Sequence, residues 1–125
     1  MDQATLWVYV DAFSGADKAA ELRAYEVTTP WDAATATWKT PWTTAGGDYV
    51  EPAAGAVAIS SADVGGWLEL DITPLVQQWV ADPAYNQGLI LRLGGTEKFT
   101  TYRLRSGDYW FAEFGPHVQV TYRKP

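Results

Sequence analysis

Apolar and polar residues alternate along several short stretches of the chain, and this alternation is typical of strands that are buried on one face. In the first stretch, Leu6, Val8 and Val10 share one face of the predicted strand. Trp7 and Tyr9 share the opposite face. The same pattern, bounded by glycine and proline, predicts further strands at residues 21–27, 56–60, 67–72, 89–93, 99–106 and 117–122.

One stretch has helical spacing instead. Thr73 suits the N-cap of a helix, and Pro74 suits the first helical position, where its missing N–H would have no partner anyway. Four apolar side chains then fall on one helix face: Leu75, Val76, Trp79 and Val80. The whole pattern predicts an all-β antiparallel sandwich, a single domain over residues 1–125, with one short helix at about residues 74–81.

Composition narrows the classes of partner. The chain has 125 residues, of which 47% are hydrophobic and 19% charged, and this composition excludes intrinsic disorder. Its formal net charge of −6 disfavours nucleic acid, because phosphate binding requires a basic face. No apolar run approaches the roughly 18 residues of a membrane span, and the N-terminus lacks the pattern of a signal peptide. The absence of cysteine removes disulfides, thiolate nucleophiles and cysteine-ligated zinc.

Four short motifs follow one another along the chain. They are Trp31-x6-Trp38, the W-x-E-L-D-I-T run at 67–73 followed by Val76 and Trp79, N-x-G at 86–88, and S-G-D at 106–108 followed by G-P at 115–116. Together they resemble the DNRLRE domain family, which is also described as disaggregatase-related repeats and as an alginate-binding family of carbohydrate-binding modules.

The resemblance implies a jelly-roll-like β-sandwich in a secreted or cell-surface protein, where such domains accompany polysaccharide-degrading enzymes or adhesion modules. The family has additional opening strands before the stretch that begins here at Ala4. We therefore expect an open sheet edge, and an open edge can accept a strand from a neighbouring chain.

Seven tryptophans are unusual for a chain of this length. Four of them belong to the family motifs and are predicted to pack in the core or at its edge. These four are Trp31, Trp38, Trp67 and Trp79. The other three, Trp7, Trp42 and Trp110, are predicted to be more exposed. Exposed rings suit sugar binding, because a pyranose has an apolar C–H face that stacks on a ring, and a cluster of them marks an interaction site.

The predicted ligand-binding set combines aromatic rings with arginines. The rings are Trp7, Tyr9, Trp42, Tyr109 and Trp110. Arg103 and Arg105 share one strand face by the period of two, and we expect Arg92 on a neighbouring strand. Such a strip suits bidentate binding of uronate carboxylates. The alternative is ordinary surface pairing with the surplus of acidic side chains, which contributes little energy.

Catalysis and metal binding have weaker support in the sequence. His117 is the only histidine, and no nucleophile motif accompanies it, so we interpret it as a surface residue at a strand end. Asp108 and Glu113 flank three aromatic residues and resemble the pair of carboxylates in a glycosidase. Such a pair acts only at a defined separation across a cleft, which the sequence does not give. Asp71 is expected to satisfy backbone N–H groups at the helix start. We predict no catalytic residue and no cofactor. The alternative to the absence of a cofactor is a structural calcium ion bound by oxygen atoms from scattered loops.

Two functions from different classes stay open on the sequence alone. The first is a non-catalytic carbohydrate-binding module of a secreted or cell-surface polysaccharide-active protein. The second is a structural or assembly domain of an extracellular surface protein or filament, in which the same aromatic residues contact other protein chains.

Overall fold

The computed structural model describes residues 2–15, 20–94, 100–106 and 115–121. Within these ranges the strands are β1 Gln3–Ser14, β2 Ala20–Glu26, β3 Gly55–Ile59, β4 Gly66–Asp71, β5 Leu89–Gly94, β6 Thr101–Leu104 and β7 His117–Thr121. The helix α1, Thr73–Ala81, connects β4 to β5. Two short 3₁₀ turns lie at Ser61–Asp63 and Pro83–Tyr85.

The strands form two antiparallel sheets. In the first, called sheet A, β1 pairs with β4 along one side. Along its other side β1 pairs first with β7 and then with β6, and the pairing with β6 has a bulge between Val10 and Ala12. The second, called sheet B, has the order β3-β2-β5. Two antiparallel sheets and one short helix confirm the predicted all-β sandwich.

The core lies between the inward faces of the two sheets. Leu6, Val8 and Val10 of β1 are buried there, as the alternation predicts. Sheet B contributes Leu22 and Ile59 from its side. The other fully packed members are Ala4, Ala20, Ala24, Leu68, Leu70, Ile72, Leu75 and Val76. Because side chains alternate along a strand, the burial of this set fixes which residues point outward.

The helix begins one residue earlier than predicted, at the residue that was expected to cap it. Ile72 is the N-cap and Thr73 is the first helical residue, so the prediction of Thr73 as N-cap is wrong. The Thr73 hydroxyl instead accepts a hydrogen bond from the Ala4 N–H at 3.0 Å, which ties the helix start to β1. α1 has nine residues, and no helix in the described ranges has the length and apolarity that a bilayer span requires.

Asp71 has the structural role expected for it. Its Oδ1 accepts hydrogen bonds from the Thr73 hydroxyl at 2.5 Å and from the Thr73 N–H at 3.0 Å. These two bonds, the hydroxyl first, lower the pKa of the Asp71 carboxyl. Elsewhere in the described part of the chain, no three acidic or histidine side chains come together to form a metal site.

Candidate functional site

The outward face of sheet A carries a cluster of aromatic rings. Trp7 and Tyr9 point outward from β1, on the face opposite the buried leucine and valines. In the strand register, Trp7 lies opposite His117 of β7, and Tyr9 lies opposite Trp67 of β4. We call these four residues, together with Arg105, the sheet A platform.

The rings of the sheet A platform hold one another in place. Trp7 and His117 are stacked, with centroids 6.0 Å apart and an interplanar angle of 8°. Trp67 meets both rings edge-on, with its centroid 5.2 Å from that of His117 and 6.3 Å from that of Trp7. Tyr9 also makes an edge contact with Trp67, at 5.3 Å. Such edge-on and offset contacts are the preferred aromatic geometries, so the rings are oriented before any ligand arrives.

One end of the sheet A platform is closed by an arginine. The Arg105 guanidinium lies 3.8 Å from the centroid of the Tyr9 ring. Its Nε also donates a hydrogen bond to Asp11 Oδ1 at 3.1 Å. The Arg105 side chain is only 16% exposed, so it braces Tyr9 rather than extending into solvent. Tyr9 therefore has one face covered, while the other end of the platform stays open.

At the open end, an apolar depression of about 470 Å³ lies beside the stacked rings. Its lining is Trp7, Trp67, His117, Val118 and Gln119. Trp7 Nε1 is buried and has no hydrogen-bond partner in the described part of the chain. Buried donors are almost always paired, so this indole N–H is an unusual feature of the platform.

The structure brings together some of the predicted site residues. Trp7, Tyr9 and Arg105 meet on the sheet A platform. Arg103 is exposed on the same outward face, since its neighbours Tyr102 and Leu104 pack toward the core. Tyr109 and Trp110 lie outside the described residues, as do the carboxylates considered at positions 108 and 113.

Arg92 is separated from the other two arginines. It lies on β5, which pairs with β2 in sheet B, so the predicted placement beside β6 is wrong. Its guanidinium lies 5.2 Å from the centroid of the Tyr49 ring and donates a hydrogen bond to the Tyr49 hydroxyl. The three arginines therefore do not form the predicted strip, because Arg92 lies on sheet B whereas Arg103 and Arg105 lie on the sheet A side.

Residues 28–54, the long connection between β2 and β3, cover one end of the outward face of sheet B, and we call them the loop cap. Tyr25 and Val27 point outward from sheet B, yet they are only 8% and 2% exposed. Tyr25 packs against Tyr49 of the loop cap, with ring centroids 4.7 Å apart. A further small depression of about 160 Å³ lies between cap and sheet, lined by Val27, Trp31, Ala36, Trp42, Leu89 and Ile90.

The predicted division of the tryptophans is wrong. Trp38 and Trp31, expected in the core or at its edge, are 69% and 43% exposed, whereas Trp7 and Trp42 are half-buried. The exposed pair belongs to the loop cap, which packs over the sheet rather than inside the sandwich. Trp67, also expected in the core, lies on the outward face of β4. Trp79 packs against the core as predicted.

Two members of the sheet A platform were not in the predicted ligand set. Trp67 alternates with Leu68 and Leu70, so the period of two already places it outward beside Glu69. His117 likewise alternates with Val118, and sequence alone indicated its exposed position. What the sequence lacked was the strand register that sets both rings against Trp7.

Comparison with known proteins places this geometry in a family. The model of carbohydrate-binding module family 96 matches residues 1–109, which include β1 to β6 and the loop cap and end before His117 of β7. Neither a curated protein nor a solved structure matches the chain. Since the family match spans most of the sequence, the chain belongs to carbohydrate-binding module family 96.

Proposed function

We propose that the chain is a non-catalytic module that binds polysaccharide on the sheet A platform. One observation carries the proposal: Trp7, Trp67 and His117 surround an open apolar depression on a sheet face in a member of a carbohydrate-binding family. Concave sites with apolar walls and a few polar groups are the usual form of ligand-binding sites.

The chemistry of the depression suits a sugar ring. The apolar C–H face of a pyranose can lie against the indole rings of Trp7 and Trp67 and exclude water from both. Gln119 lines the same depression, and Glu69 is exposed opposite Trp7 on the same face. Their side chains offer hydrogen bonds to the hydroxyl groups that project from the sugar rim.

The finer identity of the ligand is part of the proposal. The resemblance to the DNRLRE family favours alginate or another uronate polymer. Arg103 is exposed on the face of sheet A that would receive it, while Arg105 is held there against Tyr9 and Asp11. Arg92 lies on the other sheet and contacts Tyr49, so it does not extend that site. We place the module in a secreted or cell-surface protein, because the resemblance implies that setting.

The test is affinity electrophoresis through gels that contain alginate, galactomannan, xylan or a soluble β-glucan. Wild-type protein is expected to migrate more slowly in at least one gel, and Trp7→Ala and Trp67→Ala are expected to lose that retardation. Tyr85→Ala is the matched control, because Tyr85 is an exposed aromatic, 54% accessible, on a separate 3₁₀ turn. Unchanged retardation of both tryptophan variants would overturn the assignment of the site.

A second candidate function, assembly with a neighbouring chain, is favoured by Val118. This residue pairs with Leu6 in the register and so points to the core side of sheet A, yet it is 43% exposed. A strand or domain from a neighbouring chain would cover it. Sedimentation of the protein without polysaccharide at increasing concentration tests this candidate. Association that Val118→Asp abolishes would support assembly, and a constant monomer mass would exclude self-assembly.

A further inference from the structure

Trp38 is the most exposed large apolar side chain in the described part of the chain, at 69%. Its ring lies against the backbone of Gly46, where an added Cβ would come within 3.0 Å of the ring atom Cη2. The Gly46 N–H also donates a hydrogen bond to the Trp38 carbonyl at 2.6 Å. One face of the indole is thus seated on a glycine, and the rest of the ring faces solvent.

The segment that carries Gly46 is braced from within by Asp48. Asp48 Oδ2 accepts hydrogen bonds from the Thr29 hydroxyl at 2.7 Å and from the N–H and hydroxyl of Thr43 at 2.9 and 2.8 Å. Its Oδ1 accepts the Thr44 N–H at 3.0 Å. Four donors converge on one carboxylate, so Trp38 sits on a loop whose shape is fixed by its own hydrogen bonds.

Directly beside Gly46 the loop cap contains a polar depression of about 490 Å³. Its lining is Thr28, Thr29, Thr43, Thr44, Gly47, Asp48, Tyr49 and Glu51, and we call it the threonine depression. Gly46, on which Trp38 is seated, and Gly47, in the lining, are consecutive, so their Cα atoms are about 3.8 Å apart. Thr28 and Thr44 are exposed in this lining, and their hydroxyls are not among the donors to Asp48. The depression therefore begins one residue away from the glycine on which the exposed ring is seated.

We propose that the loop cap carries a second glycan-binding site, in which Trp38 stacks on a sugar ring and the threonine depression binds the adjacent hydroxyl groups. This inference rests on the proposed function, because the ligand class is taken from it. The described lining contains two carboxylates, Asp48 and Glu51, and one cation, Arg92, contacts the lining residue Tyr49. The formal charge around the depression is therefore negative. Negative charge at short range disfavours a uronate, so the site takes a neutral, hydroxyl-rich polysaccharide.

The position of the second site gives it a distinct consequence. The loop cap covers one end of the outward face of sheet B, whereas the sheet A platform lies on the outward face of sheet A. In a sandwich these two faces point in opposite directions. One short stretch of polysaccharide cannot contact both sites, and the module is expected to bridge two chains or two distant segments of one chain.

The experiment measures binding and bridging separately, with galactomannan, xylan and a soluble β-glucan as neutral probes and alginate as the uronate probe. Trp38→Ala, Trp7→Ala and the double variant are compared with wild type by affinity electrophoresis and by light scattering of protein mixed with polysaccharide. Trp38→Ala is expected to lose about tenfold in affinity for a neutral probe, and Trp7→Ala about tenfold in affinity for alginate. Only the wild type is expected to raise the scattering of a mixture of alginate and a neutral polysaccharide, since bridging needs both sites.

The outcomes separate the two proposals. Trp38→Phe keeps a ring on Gly46 and is expected to retain most of the binding. Val80→Ala removes another exposed apolar side chain, 59% accessible on α1, and is the control. If Trp38→Ala matches wild type in both measurements, the second site is wrong and the sheet A platform stands. If only Trp38→Ala loses binding, the loop site stands and the platform assignment is wrong. Retention by alginate alone would overturn the neutral-ligand inference.

Discussion

The two outward faces of this sandwich differ in what lies over them. On sheet B the loop cap buries aromatic and apolar residues at one end of the outward face, leaving Tyr25 only 8% exposed. On sheet A, Trp7, Tyr9 and Trp67 of the outward face are half-buried, and each contacts another ring of the platform. The same alternating pattern thus yields a second apolar layer on one side and an accessible platform on the other.

The difference teaches that an outward aromatic residue has two uses in a small sandwich. Covered by a loop, it removes apolar area from water and stabilises the fold. Left uncovered, it contributes less to stability and offers a surface to a ligand. The following changes test that contrast, from the largest expected effect on the free energy of unfolding to the smallest.

The largest effect is expected at Tyr25, under the loop cap. Tyr25→Ala should lower the free energy of unfolding by about 3 kcal/mol, because it empties a buried aromatic site. Tyr25→Phe keeps the ring against Tyr49 and is the matched control. Urea unfolding followed by circular dichroism measures both variants. Equal stability of Tyr25→Ala and wild type would show that the cap does not bury this face in solution.

Gly46 tests how the loop cap presents Trp38. Its φ of +94° is a conformation that side chains rarely adopt, and a Cβ there meets the Trp38 ring. Gly46→Ala should therefore lower the free energy of unfolding by about 2 kcal/mol. Gly65→Ala, at a φ of +85° with no atom within 4 Å of the new Cβ, should cost less. If the two variants are equally stable, the contact between residue 46 and the Trp38 ring does not contribute to the free energy of unfolding.

Asp48 tests the bracing of the loop cap through pH. Hydrogen bonds from Thr29 first, and then from Thr43 and Thr44, hold the pKa of the Asp48 carboxyl well below its usual range. A lowered folded-state pKa stabilises the fold above the unfolded pKa of about 4, and this contribution is lost as the pH falls toward the folded value.

Unfolding midpoints should consequently drop from pH 5 to pH 2 in wild type and drop less in Asp48→Asn. The effect is expected to be smaller than that of Gly46→Ala, because the carboxylate is partly exposed to solvent. Asp71→Asn is a useful comparison, since the pKa of Asp71 is also lowered but its bonds lie at the helix start. Identical pH profiles for Asp48→Asn and wild type would contradict the bracing.

The smallest effect on stability is expected on the sheet A platform. Trp7→Ala should cost about 1 kcal/mol, the scale of cross-strand contacts on a sheet surface. Its Nε1 makes no hydrogen bond with the described residues, so none of those is lost. Thermal unfolding of Trp7→Ala and Tyr25→Ala in parallel measures the difference in stability between the two faces directly. If Trp7→Ala lowers the free energy of unfolding as much as Tyr25→Ala does, the aromatic residues on the two faces contribute equally to stability, against this account.

Much of the fold could be predicted from the alternation alone, because strand burial on one face leaves a regular trace in the sequence. The outward direction of Trp7 and Tyr9 follows from Leu6 and Val8 beside them. The helix was predicted from its spacing, although Thr73 proved to be tied to Ala4 rather than to act as the cap.

The site could be predicted only in part, because its geometry depends on register and on a long loop. Pairing of β1 with β4 and β7 sets Trp67 and His117 against Trp7, and no local pattern specifies that pairing. The loop cap lacks regular alternation, so its path over sheet B and the exposure of Trp38 were not foreseeable. Arg92 was misplaced for the same reason, since strand order decides which arginines are neighbours.

The most direct test of the sheet A platform is a two-dimensional ¹H–¹⁵N NMR titration that follows the seven indole N–H signals. The titrant is an oligosaccharide prepared from whichever polysaccharide retards the protein. The signals of Trp7 and Trp67, assigned by single substitution, are expected to shift with a common saturation curve, while that of Trp79, packed against the core, stays in place. Saturable shifts of other indoles with Trp7 and Trp67 unchanged would contradict the account.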